Sequence, residues 1–164
     1  MPRNPALIPL SHDHHNGLLV ALRMKKGGPA SHRDNWPADI HKQRDALMQY
    51  TREELLPHFA LEEEILFPSL SNAASLEVLI SEIINEHAAM RSLLEMIGSA
   101  QNTDLPKQMK DFGILLEAHI RKEERQLFPM IEELVNSGML TVPEQEIQKR
   151  HDSYAPDPSC GVVS

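Results

Sequence analysis

An eleven-residue pattern occurs twice in this chain, as His58-Phe-Ala-Leu-Glu62-Glu63-Glu-Ile-Leu66-Phe67-Pro68 and His119-Ile-Arg-Lys-Glu123-Glu124-Arg-Gln-Leu127-Phe128-Pro129. Each copy sets a histidine four residues ahead of a glutamate. On a helix that spacing puts imidazole and carboxylate on one face about one turn apart, where both can address a single ion. Two such helices bring two His and two Glu together, the core of a dinuclear metal site. Burying two carboxylates in a helical core costs several kcal/mol each unless cations compensate them.

Two further histidines complete the set. His87 stands three residues before Met90 and seven before Leu94, on an apolar helical face, and His15 has the same relation to Leu18 and Leu22. His14 competes with His15, since a small rotation of that helix would present it instead; the leucine spacing favours His15. The expected ligands are therefore His15, His58, Glu62, His87, His119 and Glu123. A simple assignment places His15 and His58 on one ion and His87 and His119 on the other. Glu62 and Glu123 then bridge both, leaving room for a bridging oxide or hydroxide and an exchangeable position. Such mixed ligation suits iron or manganese, and the single Cys160 excludes a thiolate zinc site.

Other polar residues read as bland. Glu63 and Glu124 point about 100° away from the ligand pair and are expected to support it from outside or to be solvated charge. His12, His32, His41 and His151 read as surface residues. Met24, Met48, Met90, Met96 and Met109 read as core filling, and Phe67 and Phe128 as packing that closes the bundle below the metals. No Ser-His-Asp or Cys-His arrangement, phosphate-cradling Gly-rich loop or metal-independent acid and base pair is present, so no catalytic side chain is assigned.

The elements that must position these groups are helices. Apolar residues recur at three- and four-residue intervals from Ser11 to Leu140, and the fold class is all-α. Helix A is expected from an Ser11 N-cap to about Lys26, stopped by Gly27-Gly28-Pro29, and helix B from Pro37 to Phe67. Pro57 inside helix B should kink or rewind it where the ligands begin. Helix C runs from Leu76 to Ile97 along Leu79, Ile80, Ile83, Ile84, His87, Met90 and Leu94. Helix D runs from a Thr103 or Asp104 cap to Asn136, with Gly138 as terminator. Short loops favour an up-down-up-down four-helix bundle. Thr141 to Arg150 opens a short fifth helix; residues 1–150 form one domain and 151–164 a disordered tail.

At 164 residues the chain fits one core, and its net charge of −8, with no basic run, disfavours nucleic acid and anionic membranes as partners. No signal peptide or membrane-spanning segment is seen, and the expected setting is cytoplasmic.

The doubled motif, with Asp13-His14-His15 and Glu86-His87, resembles the hemerythrin-like, or HHE cation-binding, domain over roughly residues 8 to 136. The resemblance implies a four-helix bundle around a non-haem di-iron centre, with the six residues above as ligands to two iron ions and with manganese or zinc as substitutes. Oxygen-carrying members have an extra histidine where this chain has Arg91, so the resemblance points to a bacterial group with proposed redox, nitric oxide or peroxide roles. The function expected is a di-iron protein that reacts with or senses dioxygen, peroxide or nitric oxide. The alternatives are an iron-handling or sensor module acting through a protein partner, and a catalase-like enzyme.

Overall fold

The computed structural model describes residues 2–99 and 103–156. Its first helix starts earlier than Ser11: the Asn4 side chain accepts from Ala6 N–H at 2.9 Å, a 3-10 turn spans Pro5–Leu7, and α1 runs Ile8–Lys26. Gly27 ends α1 in the left-handed conformation at φ 72°, as expected of a glycine terminator. The second rod begins at Ile40 rather than Pro37, because Asp39 caps it by accepting from His41 and Lys42 N–H at 3.1 and 3.0 Å. It comprises α2 (Ile40–Tyr50), α3 (Leu56–Leu61) and α4 (Phe67–Ser69), joined by π turns at Thr51–Leu55 and Glu62–Leu66. The third rod is α5 (Glu77–Gly98). The fourth is α6 (Leu105–Lys122), a π turn at Glu123–Leu127, and α7 (Phe128–Asn136).

All three π turns have one cause. Leu56, Phe67 and Phe128 N–H bond back five residues to Thr51, Glu62 and Glu123, and each is followed by proline. A proline ring collides with the carbonyl four residues back and offers it no hydrogen, so widening the preceding turn relieves the clash without breaking the rod. The rewinding expected at Pro57 is therefore present, and Pro68 and Pro129 impose the same device where Glu62 and Glu123 begin their turns.

Side-chain pairs give the direction of every rod. Asp13 meets His58 and Asn16 meets Glu54; Glu63 meets His87 and Met48 meets Gly98; Glu86 meets His119 and Glu82 meets Lys122; His14 meets Glu124 and Lys25 meets Glu117. Each pair of sequence-adjacent rods, and the first with the fourth, is antiparallel, and the described residues contain no strand. This is the expected all-α bundle.

The core is split. One apolar cluster holds Leu7, Leu10, Leu61, Leu66, Phe67, Ile83, Leu127 and Phe128, and another holds Val20, Met24, Leu55, Phe59, Met90, Phe112, Leu116 and Ile120. Between them every rod carries polar side chains inward. α1 and α6 lie close together here: a Cβ on Gly113 would stand 2.7 Å from both Ala21 O and Met24 Cβ. Met96 and Ile84 do not fill the core as expected but are exposed on α5.

A final helix, α8 (Glu144–Asp152), packs its buried Ile147 into the lower cluster. The expected boundary at residue 150 is too early. His151 is buried rather than a surface residue, and Tyr154 donates to Asp13 at 2.7 Å, so residues 151–156 belong to the folded unit. Cys160 and the rest of the tail lie outside the described residues.

Candidate metal centre

Four imidazoles and two carboxylates meet in the polar layer between the two apolar clusters. From the second rod come His58 and Glu62, from α5 His87, from the fourth rod His119 and Glu123, and from α1 His14. Here the structure corrects one expected residue: His15 is exposed and outside the cluster, while His14 is 3% exposed and within it. The inward stripe of α1 is Leu7, Leu10, His14, Gly17, Ala21 and Met24. Leu18 and Leu22, which favoured His15, lie beside this stripe, with Leu22 40% exposed.

The six residues fall into two groups, His14, His58, Glu62 and Glu123, and Glu62, His87, His119 and Glu123. Within each, the ligand-type atoms lie within 4.8 Å of one another. This is the expected pairing with His14 in place of His15. Glu62 Oε1 stands 3.3 Å from His58 Nε2 and its Oε2 3.3 Å from His87 Nε2. Glu123 Oε2 lies 2.9 Å from His14 Nε2 and 3.5 Å from His119 Nε2. Despite these distances, both oxygens of Glu62, both of Glu123, and Nε2 of His87 and His119 are buried without a hydrogen-bond partner. Buried orphans of that kind are expensive, and six converging on one point are a donor set that a cation satisfies.

Every imidazole is oriented from behind. His14 Nδ1 donates to Glu124 at 2.7 Å, His58 to Asp13 at 2.9 Å, His87 to Glu63 at 2.8 Å and His119 to Glu86 at 2.9 Å. A carboxylate only accepts, so each Nδ1 carries a hydrogen and each Nε2 is turned to the centre, where those of His14 and His58 lie 3.2 Å apart. The outer acids are themselves held: Glu124 by Ser11 and Arg3, Glu63 by Arg91, Glu86 by Lys122, and Asp13 by His151 and Tyr154. Glu63 and Glu124 thus support the cluster rather than carry idle charge. Asp13 and Glu86 were not assigned from sequence, although each directly precedes an inward histidine. Arg91 also lies over the Phe59 ring, 5.4 Å from its centroid.

Charge in this layer is strongly biased. Burial alone would lower the His58 pKa, but the Glu62 and Asp13 carboxylates overcome it and hold it well above the usual 6.5. His14 and His87 are raised in the same way by Glu123 with Glu124 and by Glu62 with Glu63. Burial would raise the Glu62 pKa, yet His58 and His87 draw it well below 4.5. The two inner carboxylates thus favour positive charge among the imidazoles of this layer.

Aromatic rings from both apolar clusters pack against the imidazoles. Phe59 stacks on His87 at 3.8 Å between centroids, and Phe128 stacks on His14 at 5.4 Å, which joins the expected packing role to direct contact with the site. Beside Phe59 a cavity of about 10 Å³, room for one water-sized molecule, is lined by His14, His58 and His119 and walled by Leu55, Phe59, Leu116 and Ile120.

A helical bundle with a buried, two-centre His and Glu cluster is a metal-binding architecture. The chain belongs to the hemerythrin HHE cation binding domain family, whose model matches residues 6–149. No curated protein and no solved structure gives a match.

The register of α1 predicts a sharp contrast. His14→Ala should lose bound metal, with about one ion or fewer left per chain, while His15→Ala should keep the wild-type content. Elemental analysis of both purified variants reads this, and metal loss in His15→Ala alone would reverse the assignment.

Proposed function

We propose that the protein holds two iron ions between His14, His58, His87, His119, Glu62 and Glu123 and reacts with or senses a small oxidant: dioxygen, peroxide or nitric oxide. The observation that carries this is the convergence of six unpartnered buried ligand atoms on one layer. All are nitrogen and oxygen donors, which suits iron or manganese better than a closed structural zinc site. Iron, when bound, supplies one-electron chemistry toward the oxidant.

The chain's own part is to bind, orient and exclude. Glu62 presents its two oxygens to the two groups, and Glu123 lies within reach of both. The four outer carboxylates fix the imidazole rings so that only Nε2 faces inward. Leu55, Phe59, Leu116 and Ile120 wall the water-sized cavity beside the cluster with apolar surface. Among the described residues no helix is long and apolar enough to cross a membrane.

A sensor reading is favoured by one contact. Asp13 ties His58 to His151 and Tyr154, so the state of a ligand is felt by the C-terminal helix. Elemental analysis of freshly purified protein, with optical spectra before and after exposure to air, tests the main reading. The expected result is about two irons per chain and new near-ultraviolet charge-transfer bands after air exposure. Protein that takes up only one ion, or none that is redox-active, overturns it.

A further inference from the structure

The cavity beside His14, His58 and His119 breaks the symmetry of the doubled motif. Four residues before His58 stands Glu54, whereas the same place before His119 is Leu115. Glu54 supports no imidazole. It lines the cavity, is half-buried so that it also reaches solvent, and accepts a hydrogen bond from the Asn16 amide of α1.

The other polar groups lining that cavity are committed elsewhere. The imidazoles have Nδ1 bonded to outer acids and Nε2 turned to the centre. Asp13 takes hydrogen bonds from His58, His151 and Tyr154, which overcome burial and hold its carboxyl far below the usual range. Tyr50 is partly buried, and burial with the Glu54 and Asp13 charges pushes its phenol far above ordinary working pH. Glu54 differs. Burial raises its pKa above the usual 4.5, the Asn16 bond opposes this, and the negative Asp13 and Glu53 push it higher still. A carboxyl whose pKa is raised in this way, and which touches both solvent and the cavity, is placed to pass protons between them.

We propose that Glu54 is the proton-transfer residue of this site, carrying protons from solvent to a small oxidant in the cavity. The inference rests on the reading of the centre as an iron pair that meets such an oxidant. With hydrogen peroxide, reduction to two waters breaks the O–O bond and consumes two electrons, one from each of two ferrous ions, and two protons. Glu54 delivers these in turn: its O–H bond breaks as an O–H bond of water forms, and solvent restores the proton.

The test compares wild type, Glu54→Gln and Glu54→Asp as full-length iron-loaded protein, reduced and mixed with hydrogen peroxide in a stopped-flow instrument across pH. Glu54→Gln should keep its iron content and helical circular dichroism yet oxidise about 10- to 100-fold more slowly. The wild-type rate should fall as pH rises through the Glu54 pKa, Glu54→Gln should lack that limb, and Glu54→Asp should regain part of the rate. Infrared spectra of redox-silent zinc-loaded protein supply an independent readout: a protonated-carboxyl band that titrates above pH 4.5, shifts in D2O and is missing from Glu54→Gln. An unchanged rate and pH limb in Glu54→Gln, no such band, or loss of iron in that variant each overturns the proposal. A wild type that binds no iron or ignores peroxide overturns the underlying reading as well, and shows this before any variant is compared.

Discussion

If the centre holds the proposed two ions, Glu62→Ala should strip the protein of both together, leaving less than about one per chain. The reason is the reach of one carboxylate. Its two oxygens stand 3.3 Å from nitrogens of different histidines, His58 and His87, that belong to different ligand groups. Removing Glu62 takes an oxygen donor from each group and leaves the Nε2 atoms of His58 and His87 without their inward carboxylate. Glu63→Gln sets the contrast. It keeps every inward atom but weakens the acceptor behind His87 Nδ1, and outer-shell changes of that kind cost about 10- to 100-fold in metal affinity. Titrating metal into both stripped proteins, with circular dichroism to confirm folding, separates the two. Loss of one ion alone in Glu62→Ala would mean that its two oxygens serve a single metal.

Most of the centre was legible because it is built from helix-periodic pairs. His58 with Glu62 and His119 with Glu123 are four apart, and that spacing alone aims both at one point whatever surrounds them. His87 was legible because Ile83, Met90 and Leu94 mark its face. The first helix misled for a physical reason. Its inward positions at 17 and 21 are Gly and Ala, small because α6 approaches so closely that Gly113 has no room for a Cβ. A stripe chosen for closeness is poor in hydrophobic signal, so Leu18 and Leu22 pointed to His15. The outer acids were hidden differently. Asp13 serves His58, Glu86 serves His119, Glu63 serves His87 and Glu124 serves His14, each across to another rod. No spacing within one helix encodes a contact between two. The dipeptides Asp13-His14, Glu86-His87, Glu62-Glu63 and Glu123-Glu124 were the available clue, since an acid beside a ligand lies at the rim facing the neighbouring rod.

Removing the metal should reveal a stability that depends on pH in opposite senses for the two forms. In the stripped protein His14, His58 and His87 have pKa values above 6.5, so their contribution is complete below that value and is lost as pH rises through the raised values. Glu62, drawn below 4.5, contributes above that value and loses its share as pH falls through the depressed one. The stripped fold is therefore best supported between the two and weakens toward alkaline pH. Bound cations displace the same protons, so metal binding strengthens in the direction in which the stripped protein fails. With free metal at a thousand times its Kd, the loaded form gains about 4 kcal/mol. At about 2 to 4 °C per kcal/mol for a chain of this size, that is roughly 8 to 16 °C in Tm. Thermal melts of loaded and stripped protein should show this gap widening from about pH 6 to about pH 8. Hydrogen exchange should find the loss reaching α8 and the turn after it, whose His151 and Tyr154 hold Asp13 behind His58. A gap that narrows with rising pH would mean that metal and protons do not compete for these imidazoles, and the cluster would then be a network of buried ion pairs rather than a metal centre.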